Sequence, residues 1–445
     1  MKIFLKKHIG LVILLVILLA FPASMSTQAR LNMRIIITGL AIDKTDSGYE
    51  VTAQIVKTAP SSGAEKSGAE IDFVTDTGES IVSAISKLSY KSGKVAGFSH
   101  TNFILIGKEM LEENLLKTLN YFLRDTIIKD SVLLLVAKDS ANEEIKKTKE
   151  LGLSVGLEIQ KVFVYKEKES DGAMTSILSF ANKSLNHSKT SVVSILSMNS
   201  DSENNGQSGT QEKSSGGSSQ GESSGQSQEG GSGSQSGGSS SENSSSGEQS
   251  NSSSGESGSS GGASSETKYF DAIAPLACFV EGKFVGSLEE DEEIIGYMFS
   301  EKKCIAEDVT IENVSFGNFK KALVGVDVKY KKSNKKIRYE QDTPCLDICI
   351  KISNASIKEI QNEKLIDNIT TEEFDFLKKK IEEKVSKMIS VSFEKSKSFG
   401  ADIFGAFDIA NKFHYKKTKQ NFDSMEEFLE KLKLNVEVNV LRLEH

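Results

Sequence analysis

The sequence predicts a mixed α+β (α/β) protein of three domains, each a β-sheet with flanking helices, plus a disordered Ser/Gly-rich loop. Three observations predict it. Short apolar runs bounded by turn clusters recur along the chain as strands do, and between them apolar residues repeat at three and four, as on one helix face. The tract Asp201 to Glu266 holds a single apolar residue, Ala263, among Ser, Gly, Gln, Asn and Glu, and such a composition cannot bury a core. Finally, 445 residues exceed one ordinary core and imply two or three domains.

The first domain, placed at 30–140, opens with a hairpin. Ile35 to Ile42 is an apolar strand, "DKTDSG" a turn, and Tyr49 to Val56 a second strand that runs toward Pro60. A polar loop follows. In "ESIVSAISKLSYKSG" the stripe Ile81, Ala84, Ile85 and Leu88 predicts a helix ended by Gly93. "HTNFILIG" is a short strand. "MLEENLLKTLNYFLRD" is a helix burying Leu111, Leu115, Leu119 and Phe122, and "DSVLLLVAKD" is another buried strand.

The second domain, 141–305, mixes patterns. "ANEEIKKTKELG" is helical, "GLEIQKVFVYKEKE" is mixed, and "GAMTSILSFANKSL" has a weak helical stripe. "KTSVVSILSMN" is a strand entering the insert, placed at 200–266, and "YFDAIAPLACFVEGKFVGSL" leaves it as strand, tight "EGK" turn and strand. An insert flanked by strands fits a loop within one domain slightly better than a linker between two, because closure entropy grows only with the logarithm of length. In the third domain, 306–445, "AEDVTIENVSF", "KALVGVDVKYKKSNKKIRYE" and "PCLDICIKISNASIKEI" are strands. Thr370 and Glu373 form a capping box for a helix with the stripe Phe374, Leu377, Ile381, Val385, Met388 and Phe393. "ADIFGAFDIANKFHY" and "EEFLEKL" are further helices. The strand "KLNVEVNVLRL" closes the chain, with Leu434, Val436, Val438 and Val440 alternating.

Charge is segregated. Nine of the 62 acids and one of the 54 bases lie in the insert, leaving 53 of each sign elsewhere, so the net charge of −8 belongs to the insert. No basic field favours nucleic acid, and none is expected as a partner. Residues 1–29 read as a signal peptide or signal anchor. Lys2, Lys6 and Lys7 precede the apolar run Ile9 to Phe21, which as a helix spans roughly 20 Å, short of the roughly 30 Å hydrocarbon core. Pro22 ends the run, and Ser24-Met25-Ser26 or Thr27-Gln28-Ala29 satisfies a small-x-small cleavage rule.

No constellation for catalysis or metal binding emerges, so the catalytic, cofactor-binding, metal and lipidation sites are all expected to be absent. The five histidines have no metal-ligand spacing. Ser99 and His100 are adjacent at the start of a predicted strand, which turns them to opposite faces and unsuits them as a nucleophile and base. In "PCLDICIKI" the same alternation places Cys345 and Cys349 roughly 13 Å apart on one face, too far for a disulfide. Together with Cys278 and Cys304 they read as scattered buried thiols. The acids of "LEEDEE" (288–293) suit the opening of a helix into "IIGYMF" better than an EF-hand loop. The Lys-rich "KFHYKKTKQNF" could meet lipid phosphates or an acidic partner, although a solvated helix face is the simpler reading. No P-loop and no G-x-S-x-G elbow is present.

Three stretches carry a resemblance. "GLAIDKTDSGYEVTAQIVKTAP" with "FSHTNFILIGKEMLEENLLKTLNYFLRDTIIKDSVLLLVAK" resembles the N-terminal domain of the Ger(x)C family, the C subunits of spore germinant receptors. "PLACFVEGKFVGSLEEDEEIIGYMF" resembles its middle signature. "SKSFGADIFGAFDIANKFHYKKTKQNF", followed by "LNVEVNVLRL", is similar to its C-terminal one. The resemblance implies three α/β domains, no enzymatic activity, no cofactor, and partnership with integral-membrane germinant-receptor subunits. It also implies an exported protein at the outer face of the spore inner membrane. Two departures stand out. The insert is long for the family, and no Cys precedes Cys278, where family members generally carry a lipobox Cys after the signal. Attachment is therefore expected through an uncleaved N-terminal segment or through partner subunits. The alternative function is an exported solute-binding or cell-wall-associated protein with an acidic flexible spacer. A hydrolase with a dispersed site is a third.

Overall fold

In the computed structural model the described residues are 34–57, 70–124, 128–149, 156–196, 198–200, 268–270, 272–302, 306–317, 319–361 and 369–444. The signal segment 1–29, the insert beyond Ser200 and Cys304 lie outside them. The described residues up to Asn199 and from Lys268 onward form one compact unit.

The fold class is the one expected, a mixed α+β protein. Strands β1 (Arg34–Thr45), β2 (Gly48–Lys57) and β3 (Glu70–Gly78) form an antiparallel meander. Helix α1 (Ile81–Ser92) buries Ile81, Ala84, Ile85 and Leu88 and ends at Gly93, whose φ of 63° suits a residue without Cβ. After the short β4 (Val95–Gly97), β5 (Phe103–Ile106) lies parallel to β1. The helix expected over 110–125 is split. Lys108–Glu112 is a 3₁₀ helix, and α2 (Leu115–Arg124) starts afresh beyond it. Strand β6 (Leu133–Ala137) is parallel to β5.

The expected boundary at 140 falls between β6 and α3 (Ala141–Lys147). Two more helices, α4 (Gly156–Lys168) and α5 (Ile177–Leu185), lead to β7 (Thr190–Leu196), which lies parallel to β6 in the same sheet. Strands β8 (Met198–Ser200) and β9 (Lys268–Phe270) pair at the two ends of the insert. Beyond it β10 (Leu276–Val280) runs antiparallel to β7, and β11 (Lys283–Leu288) pairs with β10. Thus the strands on either side of the insert are neighbours. Among the described residues this is a nine-stranded sheet, ordered β11-β10-β7-β6-β5-β1-β2-β3, with β4 beside β1.

Helix α6 (Asp291–Ser300) leads into a second, five-stranded sheet of β12 (Ala306–Phe316), β13 (Phe319–Glu340), β14 (Thr343–Gln361), β15 (Lys433–Val440) and β16 (Leu443–Glu444). Helices α7 (Thr371–Ser398), α8 (Ala406–Asn421) and α9 (Met425–Lys431) connect β14 to β15. The alternating residues of β13 and β14, such as Val324, Val326, Ile348 and Ile350, point into one core with Leu377, Ile381 and Val385 of α7. At the start of α7, Glu373 N donates to Thr370 Oγ1 at 3.3 Å and Thr370 N donates to Glu373 Oε2 at 2.7 Å. Thr370→Ala removes one acceptor of this capping box and is expected to lower stability by about 1 kcal/mol, read as a small downward shift in thermal unfolding.

The two sheets share elements. In β7 and β10, Val193, Ala277 and Phe279 face the core of the first sheet, while Val192, Leu276 and Cys278 face the core of the second. Strand alternation thus makes these strands a wall common to both. The opposite face of the first sheet packs on α3 and α4 through Ile145, Ile159 and Phe163.

Candidate functional site

A cleft of about 910 Å³ opens where the parallel strands β6 and β7 end. Its floor is apolar, formed by Val136, Ala137, Ile195 and Pro275. One wall is the 3₁₀ segment with Lys108, Leu111, Glu112 and Asn114; the other is β11 with Lys283, Phe284, Ser287 and Glu289. In open α/β sheets ligands bind outside the carboxyl ends of the parallel strands; here β7 is the last of these, with β10 antiparallel beside it.

Backbone hydrogen bonds fix both walls. Lys108 N donates to Asp139 O at 2.9 Å, and Lys138 N donates to Leu196 O at 3.1 Å. Leu115 N donates to Gly282 O at 2.8 Å, and Asn114 Nδ2 donates to Glu281 O at 2.9 Å. The "EGK" turn read from the sequence is therefore also the clasp between the walls. Glu281 and Gly282 both have positive φ, 51° and 79°, as a tight hairpin turn of this hand requires. A Cβ on Gly282 would come within 2.6 Å of Leu116 Cβ.

Three lysines and two glutamates line the cleft, among them Lys108, which lies 3.7 Å from Asp139. An apolar floor under a rim of both signs suits an amphipathic or zwitterionic molecule, or a chain segment, by burying the apolar part and pairing the charged ends. Among the described residues no group of three or more His, Cys, Asp or Glu could hold a metal ion.

A second feature joins the two sheets. Asp402, 3% exposed, accepts hydrogen bonds from Ser188 Oγ at 2.6 Å, Ala406 N at 2.8 Å and Phe407 N at 2.7 Å. Burial pushes its carboxyl up, against the pull of these bonds. Asp408 accepts from Ser188 N at 2.9 Å and from Asn186 Nδ2. The two carboxylates of "ADIFGAFD" thereby tie the loop after α5 to the start of α8. Sequence reasoning singled out this stretch by resemblance but missed both roles. An acid fixed among Ala, Ile and Phe was the signal available.

The residues weighed from sequence stand as follows. Ser99 and His100 are exposed in a turn before β5 rather than in a strand, because β5 starts only at Phe103. Asn102 Nδ2 donates to the His100 carbonyl at 3.0 Å. Cys345 and Cys349 are free thiols, one buried and one half-buried, on the face opposite Leu346, Ile348 and Ile350; Cys278 is free and buried, its thiol pushed up to about 12 by burial. In "LEEDEE", Glu290 caps α6 in a capping box with Glu293. Glu292 reaches Lys384 at 2.5 Å and Glu293 reaches Lys395 at 3.2 Å, so these acids bind α6 to α7. "KFHYKKTKQNF" forms the second half of α8 and the residue after it.

The family described as Spore germination protein N-terminal domain matches residues 27–198, and the one described as Spore germination B3/GerAC like, C-terminal, matches residues 275–442. Spore germination protein B3 of Bacillus subtilis (strain 168) is 33% identical over 113 residues, which is 24% of this chain and 29% of that protein's length. The crystal structure of the GerBC protein aligns over 91% of this chain and 96% of its own, at 14% identity and a TM-score of 0.46.

Proposed function

The chain belongs to the Ger(x)C family of spore germination proteins, and we propose that it is a non-catalytic subunit of a nutrient germinant receptor. In this reading it supports germination by assembling with membrane-embedded receptor subunits. The observation that carries the reading is the pair of family matches, in the family's order, on either side of the insert. The division into three domains belongs to the same reading. So does a place at the outer face of the spore inner membrane, held by the N-terminal segment or by the partner subunits. Among the described residues no helix is long and apolar enough to cross a membrane.

A strain lacking this chain, and carrying no second C subunit, tests the reading. Its spores are expected to lose their response to at least one nutrient and to regain it on complementation. Normal germination with every nutrient tried would sink the receptor reading. The cleft supports the second reading, an exported solute-binding or wall-associated protein. Under it, germination is unchanged by the deletion, and the purified chain retains a small molecule that Phe284→Ala releases.

A further inference from the structure

The second half of α8 carries an inference that rests on the membrane-associated reading above and goes beyond it. From Asn411 to Gln420 the sequence "NKFHYKKTKQ" contains four lysines, one histidine, two aromatics and no acid. In an unbroken helix Phe413 and Tyr415 would lie about 200° apart, so that packing one ring against the fold would leave the other outside. Here the backbone leaves helical geometry at His414, with φ −131° and ψ 29°. Both rings are exposed, Phe413 by 67% and Tyr415 by 53%. A solvated helix face has no reason to hold two aromatics in water within three residues.

The segment is firmly held from behind. Thr418 is buried, and its hydroxyl shares a hydrogen bond of 2.8 Å with Tyr339 Oη and donates to His414 O at 3.0 Å. The His414 ring packs edge-on against Tyr339 at 5.6 Å. Lys417 lies over the Tyr339 ring, donates to Gln341 O, and stands 3.8 Å from Asp342. That carboxylate is also contacted by Asn421 Nδ2 at 3.4 Å. Among the described residues no carboxylate pairs with Lys412, Lys416 or Lys419. Instead Lys412 lies over the Phe413 ring at 5.3 Å and Lys419 over the Tyr415 ring at 5.7 Å.

We infer that this half of α8 is a docking surface for an anionic lipid bilayer. Aromatic side chains settle at the level of lipid headgroups, where an apolar body and a polar edge are both satisfied. Lysine stems run along such rings and place their ammonium groups among phosphates. Phe413 and Tyr415 supply the first element, and Lys412, Lys416 and Lys419 the second. A fluid anionic headgroup layer matches this charge without a shaped partner surface.

Flotation of the purified full chain with two kinds of vesicle tests this: phosphatidylcholine alone, and phosphatidylcholine mixed with phosphatidylglycerol. The chain is expected to bind the mixed vesicles about tenfold or more tightly than the neutral ones, a gain that salt removes. Lys412→Glu with Lys416→Glu and Lys419→Glu should abolish the gain without moving the thermal unfolding curve, because all three are exposed. Phe413→Ala with Tyr415→Ala should weaken binding to the mixed vesicles while leaving its salt dependence. The N-terminal segment, with its apolar run and Lys2, Lys6 and Lys7, is the same in every variant, so the difference between the unaltered and the charge-reversed chain isolates α8. Equal binding of the unaltered chain to both kinds overturns the inference, as does a charge-reversed chain that keeps the gain. The vesicles contain no receptor subunits, so their outcome and that of the germination test are independent.

Discussion

Replacing Gly296 by Ala is expected to destabilise the fold by about 3 kcal/mol and to lower Tm by at least about 5 °C, with Val worse. In an ordinary helix the same change would stabilise by about 1 kcal/mol, since Ala outranks Gly as a helix former. The sign reverses here because α6 and α7 meet at this residue. A Cβ on Gly296 would stand 2.1 Å from the carbonyl oxygen of Met388 and 2.4 Å from Ser392 Oγ. The serine could turn away, but a helix carbonyl cannot, so the two helices must separate. Separation stretches the bond from Ser392 Oγ to the Glu293 carbonyl, 2.5 Å, and the ion pair of Glu293 with Lys395. It also opens the core around Ile294, Tyr297 and Phe299, all buried.

The effect should reach the neighbouring elements. Helix α6 directly follows β11, and the carbonyls of Met298 in its last turn and of Glu301 just after it accept from Lys331 Nζ of β13 at 3.4 and 2.8 Å. A displaced α6 therefore loosens the hairpin that both cores share. Limited proteolysis of Gly296→Ala should cut faster on both sides of 291–300. Gly325→Ala is the control. Its Cβ would meet Glu359 Cβ at 3.6 Å, an ordinary contact, so a change within about 0.5 kcal/mol is expected. Equal effects at the two glycines would refute the close-packing account.

The long strands and the long helix were legible because one face of each is buried. Alternation in β13 and β14 and the 3.6-residue stripe of α7 are direct images of that burial. Strand β3 reads as a polar loop because it lies at the edge of its sheet and is mostly polar: Asp72, Thr75, Asp76 and Thr77 surround Phe73 and Val74, which are half-buried and pack against opposite cores. Helix α4 reads as mixed because Val162, Val164 and Tyr165 favour strands, while among its described side chains the fully buried apolar anchors are Ile159 and Phe163, one turn apart. The cleft left no local trace. Its lining runs from Lys108 to Glu289, assembled by strand pairing, and its lysines and glutamates look like any solvated surface in sequence. The sequence also gave no sign that pairing would carry one sheet past position 140, since the parallel contact of β6 with β7 lies across three helices.

The other large effect is expected at Glu307, the second residue of β12. It is 5% exposed, and its Oε2 has no hydrogen-bond partner. Burial, with the charge of Asp171 next in weight, pushes the Glu307 carboxyl up to about 9, against a hydrogen bond with Ser170. Asp171 is pushed up to about 6, again mainly by burial, with Lys166 opposing. Both acids sit where the turn after α4 meets the segment leading into β10. Ala274 N donates to Asp171 O at 2.6 Å, and Lys166 Nζ donates to Ala272 O. For a carboxyl whose folded value is raised, the unfolded chain loses its proton first. The stability linked to Glu307 is thus full below about 4.5 and declines as pH rises toward 9. By pH 8 this amounts to about 5 kcal/mol at roughly 1.4 kcal/mol per unit. Glu307→Gln matches the protonated acid in shape and keeps an oxygen for Ser170. Its stability should therefore equal that of the unaltered chain at pH 5 within about 1 kcal/mol and exceed it by several at pH 8. Urea midpoints at the two pH values measure the difference. Asp171→Asn should flatten the profile in a lower window, between about 4 and 6. Curves for Glu307→Gln and the unaltered chain that run parallel from pH 5 to 8 would mean that Glu307 is ionised in the fold and reached by water.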